Sequence, residues 1–161
     1  MTLKTKIDAG NGRHDLMITR EFDLPVELLF KAFAERELFE EWMTHDHGVV
    51  KLLTFEPKKH GAWAFQNSHP AGHVVFRANG VFHEFITNQK ITRTFEMENS
   101  PFDVQLEFME FKALTEDTSK LSIHSIYRSV ALRDEMLKLP FAQGLNMAHN
   151  RLQQIVSTLN K

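Results

Sequence analysis

The residues best equipped for chemistry are a set of histidines, the acids beside them and a single tyrosine. His45-Asp46-His47 sets two imidazoles and a carboxylate in consecutive positions after Trp42. Such donors suit a metal ion, but ligands at i and i+2 give at most three contacts and the spacing supplies no evident fourth. A solvated polar loop is the plainer reading, and a polar rim at a pocket entrance the functional one. His83-Glu84 falls in an extended stretch, where neighbouring side chains point to opposite faces, so the two cannot act as a dyad. His83 is in phase with Val81 and Phe85, which makes it a candidate inward polar group, or a hydrogen-bonded core histidine. Glu84 reads as a structural hydrogen bond or an exposed strand position. In Leu121-Ser122-Ile123-His124-Ser125-Ile126-Tyr127, the set Leu121, Ile123, Ser125 and Tyr127 is more apolar than its alternate and is expected to face inward. Tyr127 then offers a hydroxyl inside a pocket, or packs with one satisfied O–H. Near the C-terminus, His149 is placed at a pocket edge and Arg151 at the surface.

Other chemistry is excluded by what the sequence lacks. With no Cys there are no disulfides, thiolate nucleophiles or Cys-type zinc sites. Neither a nucleophile elbow G-x-S-x-G nor a Gly-rich phosphate cradle occurs. Nineteen basic and 21 acidic residues give a net charge of −2, which supplies no field for nucleic acid. Nine His make the chain clearly cationic below about pH 6. No apolar run approaches the roughly 18 residues of a membrane span, and Met1 to Gly12 lacks the apolar core of a signal peptide. The expectation is a cytoplasmic protein that engages no membrane, with no metal, no cofactor and no assigned catalytic residue.

The aromatic inventory points elsewhere. Fourteen Phe and two Trp stand against one Tyr, so most large rings carry no polar handle. They either pack solidly or line an apolar cavity, which for a ligand site would measure roughly 300 Å³ or more. Trp63 and Phe65 share a strand face and lead the expected ligand-binding set, with Phe76, His83, Phe85, Phe95, Phe108, Tyr127, Leu145 and Met147. The expected ligand is a small hydrophobic or aromatic molecule.

The elements that must position these residues can be read from periodicity. At 161 residues, with 42% apolar and 25% charged, the chain suits one domain over 16–161, preceded by a flexible lead-in over 1–15. Leu16 to Phe22 alternates as a first strand. Asp23-Leu24-Pro25 opens a helix carrying Val26, Leu29, Phe30, Phe33 and Ala34 on one face. A second short helix is predicted over Glu35 to Trp42. Strands are then predicted at Val49–Phe55, Ala62–Gln66, Val74–Ala78, Val81–Ile86, Lys90–Met97, Val104–Ala113 and Lys120–Ser129, with Asn79-Gly80 read as a turn. Pro140 to Asn160 closes the chain as a helix of about 20 residues, roughly 30 Å long. Its apolar stripe is Phe141, Leu145, Ala148, Leu152, Ile155 or Val156, and Leu159; Gln143, Asn146, Asn150, Gln153, Gln154 and Ser157 occupy the solvated face. An antiparallel sheet with one apolar face and a one-sided helix of that length bury each other, which makes the chain α+β.

In this order the chain resembles the helix-grip (START-like, polyketide-cyclase-like) domains. The resemblance is carried by Ile18-Thr19-Arg20-Glu21-Phe22 with Leu24-Pro25-Val26-Glu27-Leu28-Leu29-Phe30-Lys31-Ala32-Phe33. Glu37 to Trp42, Gly61-Ala62-Trp63, Gly80 to Phe85 and Gly144-Leu145 are similar to the branch named after the activator of the heat-shock-protein-90 ATPase. Leu145 stands where that branch often has Trp, and His60 replaces a second Gly before Gly61. The resemblance implies a curved antiparallel sheet of about six or seven strands wrapped around a long C-terminal helix, two short helices after the first strand, and a cavity between sheet and helix. It implies a small-molecule binding protein first. Alternatives are a cyclase- or hydrolase-type enzyme using His83, Glu84 or Tyr127, and a co-chaperone-like domain acting on heat-shock protein 90. A homodimer through an edge strand or an exposed helix also stays open.

Overall fold

The computed structural model describes residues 3–160. An eight-stranded antiparallel sheet runs in the order β1-β2-β8-β7-β6-β5-β4-β3. Its strands are β1 (Lys6–Asp8), β2 (Asp15–Phe22), β3 (Val49–Phe55), β4 (Ala62–Ser68), β5 (Val74–Ile86), β6 (Lys90–Met97), β7 (Gln105–Ala113) and β8 (Ser119–Ile126). Between β2 and β3 lie α1 (Val26–Ala34) and α2 (Arg36–Met43); after β8 come α3 (Val130–Lys138), α4 (Phe141–Ser157) and a last 3-10 turn, Thr158–Asn160. The sheet is curved and α4 packs in its grip, with α1 and α2 closing one flank.

Local chemistry explains the helical flank. Pro25, which has no N–H to satisfy, stands at the N-cap of α1, and its carbonyl accepts from Leu28 and Leu29 N–H at 3.0 and 3.1 Å. Glu35 is extended and serves as both the end of α1 and the cap of α2. The angle between the two helices is held by the Trp42 indole N–H, which donates to the Ala32 carbonyl at 2.8 Å inside the core. One continuous core joins α1, α2, α4 and the inner sheet face, including Leu29, Phe33, Trp42, Trp63, Phe82 and Leu152.

Two expectations from the sequence are corrected, and one element was not anticipated. Residues 6–8, placed in a flexible lead-in, form edge strand β1, with Lys6 opposite Thr19 and Asp8 opposite Met17. The reason is non-local: the buried guanidinium of Arg133 on α3 donates to the carbonyls of Ala9, Gly10 and Asp15 and ties the segment down. Asn79-Gly80 is not a turn but the middle of β5. Gly80 lets the neighbouring wall close in, since a Cβ there would lie 1.9 Å from the Thr94 carbonyl oxygen and 2.5 Å from Trp63 Nε1. That space is used by the Trp63 N–H, which donates to the Thr94 carbonyl at 3.1 Å. Residues 130–138, whose apolar members make no single stripe, form α3, capped by the Ser129 hydroxyl accepting from Leu132 N–H at 3.1 Å.

The stripe of α4 is largely as expected, with Ala148, Leu152 and Val156 buried. Leu159 departs from it, because the helix tightens into the 3-10 turn and leaves that side chain exposed. Two members of the face expected to meet water are instead docked. Asn146 accepts from Thr5 N–H and from the buried Arg20 guanidinium at 3.0 and 3.2 Å, and Gln153 both accepts from Asp23 N–H and donates to its carbonyl.

Candidate ligand-binding cavity

Between the inner sheet face and α4 lies a cavity of about 260 Å³. Its wall is overwhelmingly apolar. Trp63 and Phe65 from β4, Phe76 from β5 and Phe95 from β6 form one side, α2 supplies Phe39, Trp42 and Met43, and Phe141 and Leu145 come from the first turns of α4. Trp63 stacks on Phe65 with centroids 5.7 Å apart, and Phe95 lies within 6.3 Å of both rings, so the aromatic wall is braced from behind. Met43, Met97, Met109 and Met136 complete much of the lining. Unbranched thioether chains of this kind adapt to irregular shapes.

A polar corner interrupts this wall where β6, β7 and β8 meet. The register places Arg93 opposite Glu107 and Glu107 opposite Ser125. Arg93 Nε donates to Glu107 at 2.8 Å, and its guanidinium carbon sits 4.3 Å from the Trp63 ring centroid. Gln105 donates to the other Glu107 oxygen at 3.1 Å. Tyr127 completes the corner, almost wholly buried, with a hydroxyl that has no hydrogen-bond partner among the described residues. Burial, and then the Glu107 charge, pushes this phenol above its ordinary range, so it remains a neutral O–H donor.

His149 lines the cavity from α4 and is 1% exposed. Its Nδ1 is 2.6 Å from the Thr5 hydroxyl. Burial, assisted by the nearby Arg20 charge, pulls the imidazole down to about 3, so it is neutral at physiological pH. Arg20 is itself buried, with its guanidinium over the Phe22 ring.

Of the ligand-binding residues expected from sequence, Trp63, Phe65, Phe76, Phe95, Tyr127 and Leu145 come together on this cavity. His83, Phe85, Phe108 and Met147 do not. Plain alternation through Phe76, Ala78 and Gly80 sets Phe82 inward and His83 outward, and a β-bulge between Phe82 and Glu84 then shifts the phase, so Phe85 is no guide to the face of His83. Phe85 also points inward, but packs on Phe30 and Phe82 at 5.5 and 5.1 Å, under α1 and away from the cavity. Phe108 lies on the outer face, because Gln105, Glu107 and Met109 take the inner positions of β7; its ring leans on His124. Met147 is two residues past Leu145, about 200° around the helix, and is half exposed.

The remaining candidates resolve into structural roles. Glu84 accepts from the Thr92 hydroxyl at 2.8 Å and pairs with Lys90 at 2.9 Å; these contacts hold its carboxyl below the ordinary range. His45, Asp46 and His47 line a separate open groove with Gly144, Met147 and Arg151, rather than the cavity mouth. His45 is lowered by burial and then by Arg151 and His47. Among the described residues, no three His, Asp or Glu side chains converge as metal ligands. Arg151 is less exposed than expected and donates to the Trp42 carbonyl at 3.0 Å, pinning α4 to α2.

Sequence reasoning anticipated Tyr127 and placed His149 at a pocket edge, but missed the Arg93, Gln105 and Glu107 part of the polar corner. A signal for the corner was present: with Met109 and Phe111 taken as inward, alternation carries Glu107 and Gln105 inward too. Taking Phe108 as a lining residue had turned the opposite face of this strand inward.

Comparison with known proteins follows this geometry. A family model described as "Activator of Hsp90 ATPase homolog 1-like protein" matches residues 23–157. A crystal structure of a Rhodobacter sphaeroides protein superposes with a TM-score of 0.87 at 17% identity, covering 96% of this chain and 99% of that one. A Mycobacterium smegmatis protein gives 0.83 at 14% identity, covering 96% of each chain. A solution structure from Arthrobacter aurescens gives 0.82 at 17% identity, over 95% of this chain and 91% of that one. At these identities the likeness concerns the fold. No curated protein matches the sequence.

Proposed function

The chain belongs to the family of Activator of Hsp90 ATPase homolog 1-like proteins, and from that premise we propose that it binds a small, largely apolar molecule between the sheet and α4. The observation that carries this reading is the composition of the cavity wall, in which rings from three strands and three helices surround space they do not fill. Close packing is the norm for interiors, so an apolar void of this size is costly unless something occupies it. The volume of about 260 Å³ falls just under the usual lower end for ligand sites and below the size expected from sequence. A 150 Å³ apolar cavity accepts benzene, which scales to a ligand here of about ten non-hydrogen atoms.

A binding role is favoured over the catalytic one because the groups considered for acid/base work are dispersed. His83 and Glu84 lie outside the cavity lining, and Tyr127 is held as a neutral phenol. Native mass spectrometry of freshly purified protein, repeated under denaturing conditions, tests the proposal. An added mass that disappears on denaturation supports it. A bare protein whose melting temperature no apolar compound of this size raises would sink it.

A further inference from the structure

The polar corner narrows the class of ligand, on the premise that the cavity is a binding site. Glu107 is the cavity's carboxylate, and it is already engaged twice, by Arg93 at 2.8 Å and by Gln105 at 3.1 Å. Arg93 in turn spends its charge on Glu107 and its flat face on Trp63. The pair is mostly shielded from water, with side chains 14% and 13% exposed. An anionic ligand head would meet the Glu107 charge without a free cation to answer it, and a cationic head would have to displace Arg93. Both are unfavourable where solvent cannot screen.

What the corner leaves unanswered is a donor. The Tyr127 hydroxyl is buried without a partner among the described residues, although Tyr127 lines the cavity. Buried O–H groups nearly always find an acceptor, and one left without costs appreciable free energy. Ser125 also lacks a partner among the described residues but does not line the cavity, so it cannot take that role for a ligand.

We propose that the ligand is an uncharged, compact apolar molecule bearing one hydrogen-bond acceptor, of ketone, lactone or ether type, which accepts from the Tyr127 hydroxyl. The rest of the molecule lies against the Trp63 wall. The acceptor selects by completing a bond that the empty protein lacks, and the neutral Arg93–Glu107 pair selects against charge.

Three probes of nearly one shape test this by isothermal titration calorimetry: indane, 1-indanone and 1-indanecarboxylate. With the unaltered protein, the ketone is expected to bind on the order of tenfold more tightly than the hydrocarbon, and the carboxylate more weakly than the ketone. In Tyr127→Phe, which removes only the unpartnered oxygen, the ketone should lose its advantage while indane binds as before. A hydrocarbon that binds as tightly as the ketone, a ketone preference that survives Tyr127→Phe, or a carboxylate that binds best would each overturn the inference and leave the binding proposal standing. Failure of all three probes to bind would overturn both.

Discussion

The two faces of the sheet carry similar residue types to different ends. On the outer face Arg13 pairs with Asp15 at 3.0 Å, Asp15 with His124 at 2.7 Å, and Phe108 leans on His124. On the inner face Arg93 pairs with Glu107, and Phe95 braces Trp63. Side chains of the outer trio are 47%, 22% and 37% exposed, against 14% and 13% for the inner pair. Water screens the first arrangement and can replace any partner that is lost; it does neither for the second. A position in a strand therefore takes its energetic weight from the face it occupies, more than from its chemistry.

The strongest way to break this contrast is to remove one acid from each face. Glu107→Ala strands a shielded guanidinium and should cost about 3 to 5 kcal/mol in urea unfolding. Asp15→Ala should leave the urea midpoint at neutral pH nearly unmoved. Equal losses would refute the distinction.

Titration sharpens it next. His149 is held neutral with its pKa at about 3, whereas the unfolded chain takes up a proton near 6.5. The unfolded state therefore binds more protons in that window, and stability falls as pH drops from about 6.5 toward 3. The expected loss between pH 7 and pH 4 is about 3 kcal/mol for this one residue, from 1.36 kcal/mol per pH unit. His149→Gln, which keeps a partner for Thr5, should flatten that stretch of the stability curve. Asp15 titrates in the same sense and lower: its carboxyl is depressed by hydrogen bonds from Arg13 and His124, so its small, solvent-screened contribution is present above about pH 4 and fades as acid protonates it. A curve unchanged by His149→Gln would remove the imidazole from the account.

Filling the cavity should have a smaller effect on stability and a larger one on binding. Leu145→Trp places an indole into the void, and is expected to raise stability by about 1 kcal/mol, as cavity-filling changes commonly do, while abolishing uptake of any apolar probe. Retained uptake would move the binding site elsewhere. The smallest effect is expected at His83. Its outward position predicts that His83→Ala changes stability by within about 0.5 kcal/mol and leaves probe affinity alone.

What could be read from the chain follows from which interactions are local. The α4 stripe at Ala148, Leu152 and Val156, the switch from helical to strand period after Gly48, and the inward set Leu121, Ile123, Ser125 and Tyr127 are all written in residue spacing, so the α+β helix-grip order was legible. So was much of the aromatic wall, because Trp63 and Phe65 alternate within one strand. Other features depended on partners distant in sequence. Residues 6–8 become a strand by pairing with β2, held from both sides by contacts from Arg133 and from Asn146 and His149, more than 120 positions away. The bulge after Phe82, visible in the pairing of β5 with β6, shifts the strand's phase, so that Phe85 shares the inner side with Phe82 while His83 faces out. Gly80 looks like a turn residue until the Trp63 indole and the Thr94 carbonyl are seen to need its missing Cβ. The Arg93–Glu107–Tyr127 corner exists because antiparallel register sets three strands side by side. Periodicity determines which face a residue belongs to. Register, bulges and close approach, which join residues far apart in the chain, decide what that face meets.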